Sequence, residues 1–183
     1  MASSMFSLSA WLQDRRRAKQ RREALAQRAR EIHGDLTARA LALSGSGQLA
    51  LPDYFPLRFE LLTLLIAARL QRFHREGEEA MVQALWDMTF EGFDYSLRSR
   101  GISDLRMASR IRKLLRGATG RRDVYILALE QGDETALRNA IARNVLDHAP
   151  PEDPRVERLL GEVRRIGEET SPAEGGTALP SHD

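Results

Sequence analysis

Four histidines are the first residues to weigh for chemistry: His33, His74, His148 and His182. No two of them stand at a metal-ligand spacing. His74 and Glu78 are four apart, but Gly77 falls between them at a helix break, so His74 reads as a solvent-facing side chain. The chain has no cysteine, which excludes disulfides, thiolate catalysis and cysteine-held metals. Glu91, Asp94 and Asp104 lie close in sequence. A general acid–base pair needs two carboxyls converging on one cleft with separated pKa values. Helix capping by Asp104 and ion pairing by Asp94 account for those two residues more simply. The segment Gly117-Ala118-Thr119-Gly120-Arg121 has the look of a phosphate loop. It lacks the Lys-Ser/Thr of a P-loop and follows a helix instead of a strand, so it reads as an interhelical turn. No nucleophile-elbow or dinucleotide-binding glycine pattern occurs. A non-enzyme without metal or cofactor is the expectation.

The remaining chemistry is charge. Residues 15–30 carry Arg15, Arg16, Arg17, Lys19, Arg21, Arg22, Arg28 and Arg30 against the single acid Glu23, although the whole chain is only +2. The stretch from Glu152 onward is net acidic. Such asymmetry points to an N-terminal surface for an anionic lipid, nucleic acid or acidic partner. Phe6 and Trp11 stand just ahead of Arg15, Arg16 and Arg17, the composition of an interfacial anchor. A frayed terminus is the bland alternative for residues 1–14. Nucleic-acid binding is the rival use of the arginines, but the aromatics lie upstream in one cluster and do not interleave with them as stacking platforms.

These residues need elements to position them. The 183 residues fit one domain with tails, and a 42% apolar share suffices for one core. The longest apolar run, Leu61–Ala68, is far short of the ~20 residues of a membrane span. No secretory signal is present; a mitochondrial transit peptide ranks second to a folded N-terminus. Steps of three and four at Leu25, Ala29, Ile32, Leu36, Ala40 and Leu43 predict a helix from about Ala18 to Leu43, broken by the Ser44–Gly47 run. Pro52 and Pro56 predict an irregular connector. Helices follow from about Leu57 to Arg75, Glu78 to Arg100 (ended by Gly101), Leu105 to Arg116 (capped by Ser103 or Asp104) and Asp123 to Gln131. A sixth starts at Gly132-Asp133, and a last one spans Arg155–Ile166. No segment has strand periodicity. The expected fold is all-α, a single compact multi-helix domain of six to seven helices. Residues 1–17 form a hydrophobic and basic segment, 18–167 the helical domain and 168–183 a disordered tail.

Residues Leu85 to Leu105 hold a Phe- and Asp-rich helix end, Asp94-x-x-Leu97-Arg98, then Gly101-Ile102-x-Asp104-Leu105, then the basic helix Arg110-Ile111-Arg112-Lys113. This order resembles the central signature of the ubiquinol–cytochrome c chaperone family. Phe59-Glu60-Leu61-Leu62 with Arg69-Leu70, and Ala136–Asn139 with Arg143–Leu146, extend the likeness over about residues 50–147. Two positions depart from it. The Gly-Arg pair Gly120-Arg121 lacks the family's neighbouring aromatic, and Leu65 stands where a histidine is often seen.

The resemblance implies an assembly factor for ubiquinol–cytochrome c reductase. It would bind newly made cytochrome b, another subunit of that complex or a small partner protein. Its place would be the cytoplasmic side, peripheral on the inner-membrane face, or the mitochondrial matrix side if eukaryotic. A chain this short reads as bacterial. The client or partner surface is expected at Trp86, Asp94, Tyr95, Arg98, Arg110, Arg112 and Lys113, since interfaces favour Trp, Tyr and Arg. A scaffold role for the same helix–turn–helix is the alternative. Phe6, Trp11, Arg15, Arg16 and Arg17 would meet an anionic membrane surface. The rival function is a nucleic-acid or ribosome-associated binder working through the arginine-rich first helix.

Overall fold

The computed structural model describes residues 3–45, 49, 51, 55–99 and 105–169, with side chains for 10–45, 49, 51, 56–90, 109, 113 and 115–169. Six helices account for nearly all of them: α1 Ser3–Gly45, α2 Phe55–Arg75, α3 Glu79–Ser99, α4 Leu105–Gln131, α5 Glu134–Asn144 and α6 Pro154–Glu168. There is no strand among the described residues. The all-α architecture expected from the 3.6-residue periodicity is the one found.

Helix α2 explains the arrangement. Residues from Phe59 to Leu70 are all buried and nine of these twelve are apolar, the exceptions being Glu60, Thr63 and Arg69. A helix of that kind has to be enclosed. It is packed against α1, α3, α4 and α6, with α5 closing the gap between α4 and α6. The stripe Ala29, Ile32, Leu36 and Ala40 carries α1 onto this core, and Val156, Leu159, Leu160, Val163 and Ile166 do the same for α6. Thr63, buried mid-helix, donates its hydroxyl to the Phe59 carbonyl at 2.9 Å and so needs no outside partner.

Three boundaries differ from the sequence reading. Helix α1 starts at Ser3, not near Ala18, and runs for 43 residues, about 65 Å at 1.5 Å per residue. Between Ser3 and Ile32 no Gly or Pro interrupts a run rich in Ala, Arg, Gln, Glu and Leu, all strong helix formers. Pro56 sits inside the first turn of α2, where its missing N–H has no intrahelical partner to lose. The two helices expected at Leu105–Arg116 and Asp123–Gln131 are one, α4. Gly117 and Gly120 lie within it as helical residues, not as a turn. Each glycine costs a helix about 1 kcal/mol relative to alanine, a cost that packing against α2 outweighs.

Other boundaries agree. Asp133 caps α5 by accepting the Ala136 N–H at 2.9 Å, after Gly132 has turned the chain at φ 64°. Asp153 caps α6 by accepting the Arg155 N–H at 2.8 Å, with Pro154 at the first helical position. Gly101, Ser103 and Asp104, read as the caps between α3 and α4, lie outside the described residues. So does the tail from residue 170 onward.

Candidate client-binding surface

The residues singled out by sequence fall into two groups. Asp94, Tyr95 and Arg98 lie on the last turns of α3, and Arg110, Arg112 and Lys113 on the first turns of α4. Lys113 is exposed. The side chains of the other five lie outside the described set.

Trp86 is placed differently from a free-standing anchor. It is 8% exposed, one turn ahead of Phe90, whose ring meets it edge-on at 5.0 Å and 83°. The Arg122 guanidinium of α4 covers its other side, 4.3 Å from the ring centroid. Arg122 is held in turn by Asp123 at 2.6 and 2.8 Å. A cation over a desolvated indole contributes about 1–2 kcal/mol. This stack therefore ties α3 to α4, and a partner reaching Trp86 would meet Arg122 first.

Between α2, α4 and α5 lies a buried polar cluster that sequence reasoning missed. Glu60 of α2 is buried and meets the Arg121 guanidinium of α4. Burial raises the Glu60 carboxyl pKa, and Arg121 opposes the rise. Glu60 Oε2 has no hydrogen-bond partner among the described residues. One turn along α4, Tyr125 is fully buried and its hydroxyl accepts from the Asn144 amide of α5 at 3.1 Å. Burial pushes that phenol up to about 12. The Arg121 guanidinium folds back over Gly117: a Cβ there would stand 2.7 Å from one of its nitrogens, so a larger residue would require the end of that side chain to shift. No local pattern announces the pair, since Glu60 and Arg121 stand 61 positions apart on different helices.

A second polar cluster pins the end of α6. Arg69, 2% exposed on α2, donates to the Glu169 carbonyl at 2.7 Å, and Arg72 donates to the same oxygen. Arg39 of α1 reaches the Glu169 carboxylate at 2.6 Å and buried Glu162 at 3.5 Å. Glu162 also pairs with Arg165. Cations at a helix C-terminus complement its partial negative charge, so three arginines from two helices lock α6 onto the core.

The N-terminal group stands apart from the core. Residues 10–24 of α1 are all exposed. Trp11 is 51% exposed, with the Arg15 guanidinium 4.8 Å from its ring centroid. Arg16 and Arg17 are exposed beside it. Phe6 lies on the same helix, its side chain outside the described set. Among the described residues no group of His, Asp and Glu could hold a metal ion. No helix there is long and apolar enough to cross a membrane. His74 is half-exposed, its Nδ1 2.7 Å from Glu79, a surface contact.

A family model described as ubiquinol-cytochrome C chaperone matches residues 47–168, from the connector ahead of α2 to the end of α6. The chain belongs to the ubiquinol–cytochrome c chaperone family. The match includes the α3–α4 segment, the Glu60–Arg121 cluster and Arg69 and Arg72, but neither Arg39 nor Glu169. It begins just past α1. Among solved structures, the crystal structure of the Cbp3 homolog from Brucella abortus is similar at 28% identity and a TM-score of 0.65. That similarity covers 93% of this chain and 96% of the other. No curated protein matches.

Proposed function

We propose that this protein is a non-enzymatic assembly chaperone for the ubiquinol–cytochrome c reductase complex, engaging newly made cytochrome b or a small partner protein at the inner-membrane face. The observation that carries this reading is the family match over residues 47–168, joined by a solved Cbp3 homolog of similar fold over 93% of this chain. The client contact is assigned to the α3–α4 segment, through Asp94, Tyr95, Arg98, Arg110, Arg112 and Lys113, with Trp86 and its covering Arg122 as the rigid floor. A basic, aromatic-backed surface suits a partner that brings acidic or amphipathic segments.

The exposed half of α1 supports a second contact, with an anionic membrane surface. Phe6 and Trp11 would enter the interface while Arg15, Arg16 and Arg17 meet lipid phosphates. Each such arginine contributes about 1 kcal/mol near an anionic surface. The same charges suit RNA or a ribosome, which is the competing use of this helix.

Affinity capture of the tagged full chain from solubilised membranes tests the proposal. Recovery of cytochrome b, or of a small protein that copurifies with it, is expected, and an Arg98→Glu/Arg112→Glu variant should lose it. Capture of neither would sink the chaperone assignment. If RNA is recovered instead, with binding that falls steeply as salt rises, the nucleic-acid reading takes its place.

A further inference from the structure

Helix α4 leaves one face exposed from Lys113 to Leu127. Lys113, Arg116, Gly120, Val124 and Leu127 recur at steps of three and four and are all exposed. They therefore form one line, about 21 Å long at 1.5 Å per residue. Val124 is 41% and Leu127 52% exposed, two of the five large apolar side chains most open to solvent among the described residues. Asp123, also exposed, borders the same line.

The line has a centre. Gly120 stands midway, four residues from Arg116 and Val124 and seven from Lys113 and Leu127. Among the described residues nothing lies within 4 Å of where its Cβ would be, so no packing among them calls for a glycine there. A glycine in a helix interior is costly. On an outward face it also leaves a notch where another helix can come close, as small residues do wherever helix backbones approach.

The charge pattern says which helix fits the notch. On one side of Gly120 the line is basic, and on the other it is apolar with an acid at its edge. The complementary helix is antiparallel, with an acid and apolar residues facing Arg116 and Lys113, and bases facing Asp123, Val124 and Leu127. That is α4 itself, turned about a two-fold axis through Gly120. We infer that two copies of this chain associate through antiparallel α4 helices crossing at Gly120, with Arg116 of each copy paired to Asp123 of the other. In that arrangement the aliphatic stems of Arg116 and Lys113 lie over Val124 and Leu127 of the second copy, with their charged heads in water. The contact is self-complementary, as a two-fold interface must be. A single helix pair buries less than the ~1,200–2,000 Å² of a standard interface, so the dimer is reversible and concentration-dependent.

The test uses the full chain in sedimentation equilibrium over about 1–200 µM, a range suited to a weak interface. Wild type should pass from monomer toward dimer. Gly120→Glu, which improves helix propensity and meets no neighbour, should stay monomeric with undiminished helicity and an unfolding midpoint at or above that of wild type. Arg116→Asp should weaken association roughly tenfold, and Asp123→Arg added to it should restore association. Because the chain has no cysteine, Gly120→Cys supplies a single reporter. It should form a disulfide-linked dimer under mild oxidation, whereas Glu152→Cys, exposed on the turn before α6, should not. A wild type that is monomeric throughout, or equal cross-linking from both cysteines, would overturn the inference. So would a monomeric wild type whose capture of cytochrome b is lost in Gly120→Glu, since the face would then belong to the client.

Discussion

Replacing Arg121 with methionine would leave the Glu60 carboxylate buried on α2 without its guanidinium partner. The geometry sets the size of the effect. Glu60 is 9% exposed and Arg121 is the cation that contacts it among the described residues. Removing one partner of a buried pair costs about 3–5 kcal/mol. The pair retains some solvent contact, so about 2–4 kcal/mol is the expected loss near pH 7.5. The sign of the pH dependence follows from the raised Glu60 pKa. An acid whose folded pKa lies above its unfolded value opposes folding when ionised. That penalty is absent below the unfolded carboxylate value and grows as pH rises through it to the folded pKa. Arg121 lowers the Glu60 pKa, so its loss both enlarges the penalty and extends it to higher pH. The deficit of Arg121→Met relative to wild type should therefore shrink between about pH 7.5 and about pH 5. Urea unfolding followed by circular dichroism at both pH values measures it. Adding Glu60→Gln should recover part of the loss at the higher pH. A deficit below about 0.5 kcal/mol, or one that does not change with pH, would refute the reasoning.

His33 is pushed below its ordinary pKa by burial, and its Nε2 has no hydrogen-bond partner among the described residues. Its neutral form favours the fold, so stability should fall as pH drops below about 6.5; thermal unfolding of His33→Leu should show less of that fall. Arg69→Met should cost about 2–4 kcal/mol by unpinning the α6 C-terminus, with hydrogen exchange rising first in residues 160–169. Changing Arg15, Arg16 and Arg17 together to glutamine should leave the unfolding midpoint unchanged, because all three are exposed. Binding to vesicles containing phosphatidylserine should fall roughly 100-fold, from about 1 kcal/mol per charge; unchanged binding would remove the membrane contact.

The fold was legible wherever burial imposed a helical period. The stripe from Leu25 to Leu43, the apolar run of α2 and the start of α5 after Gly132-Asp133 each follow from local rules, and each stands where those rules put it. The errors share a cause, which is context beyond the local window. Gly117 and Gly120 carry a turn signal, yet both are helical residues of α4, and at 117 the guanidinium of Arg121 lies over the glycine. Pro56 breaks a helix interior but not a first turn. The α1 start was set too late because residues 10–24, all exposed, have no buried stripe to announce them, only propensity. Trp86 has interface composition, yet the arginine that covers it lies 36 positions later on α4. The Glu60–Arg121 pair was likewise out of reach of any short-range pattern.

The most direct measurement is deletion of the gene in its own organism, followed by assay of membrane haem-b content and ubiquinol–cytochrome c reductase activity. Both should fall sharply and return with the wild-type gene but not with Arg98→Glu/Arg112→Glu. Haem b and activity at wild-type levels in the deletion strain would contradict the assignment of this protein to assembly of that complex.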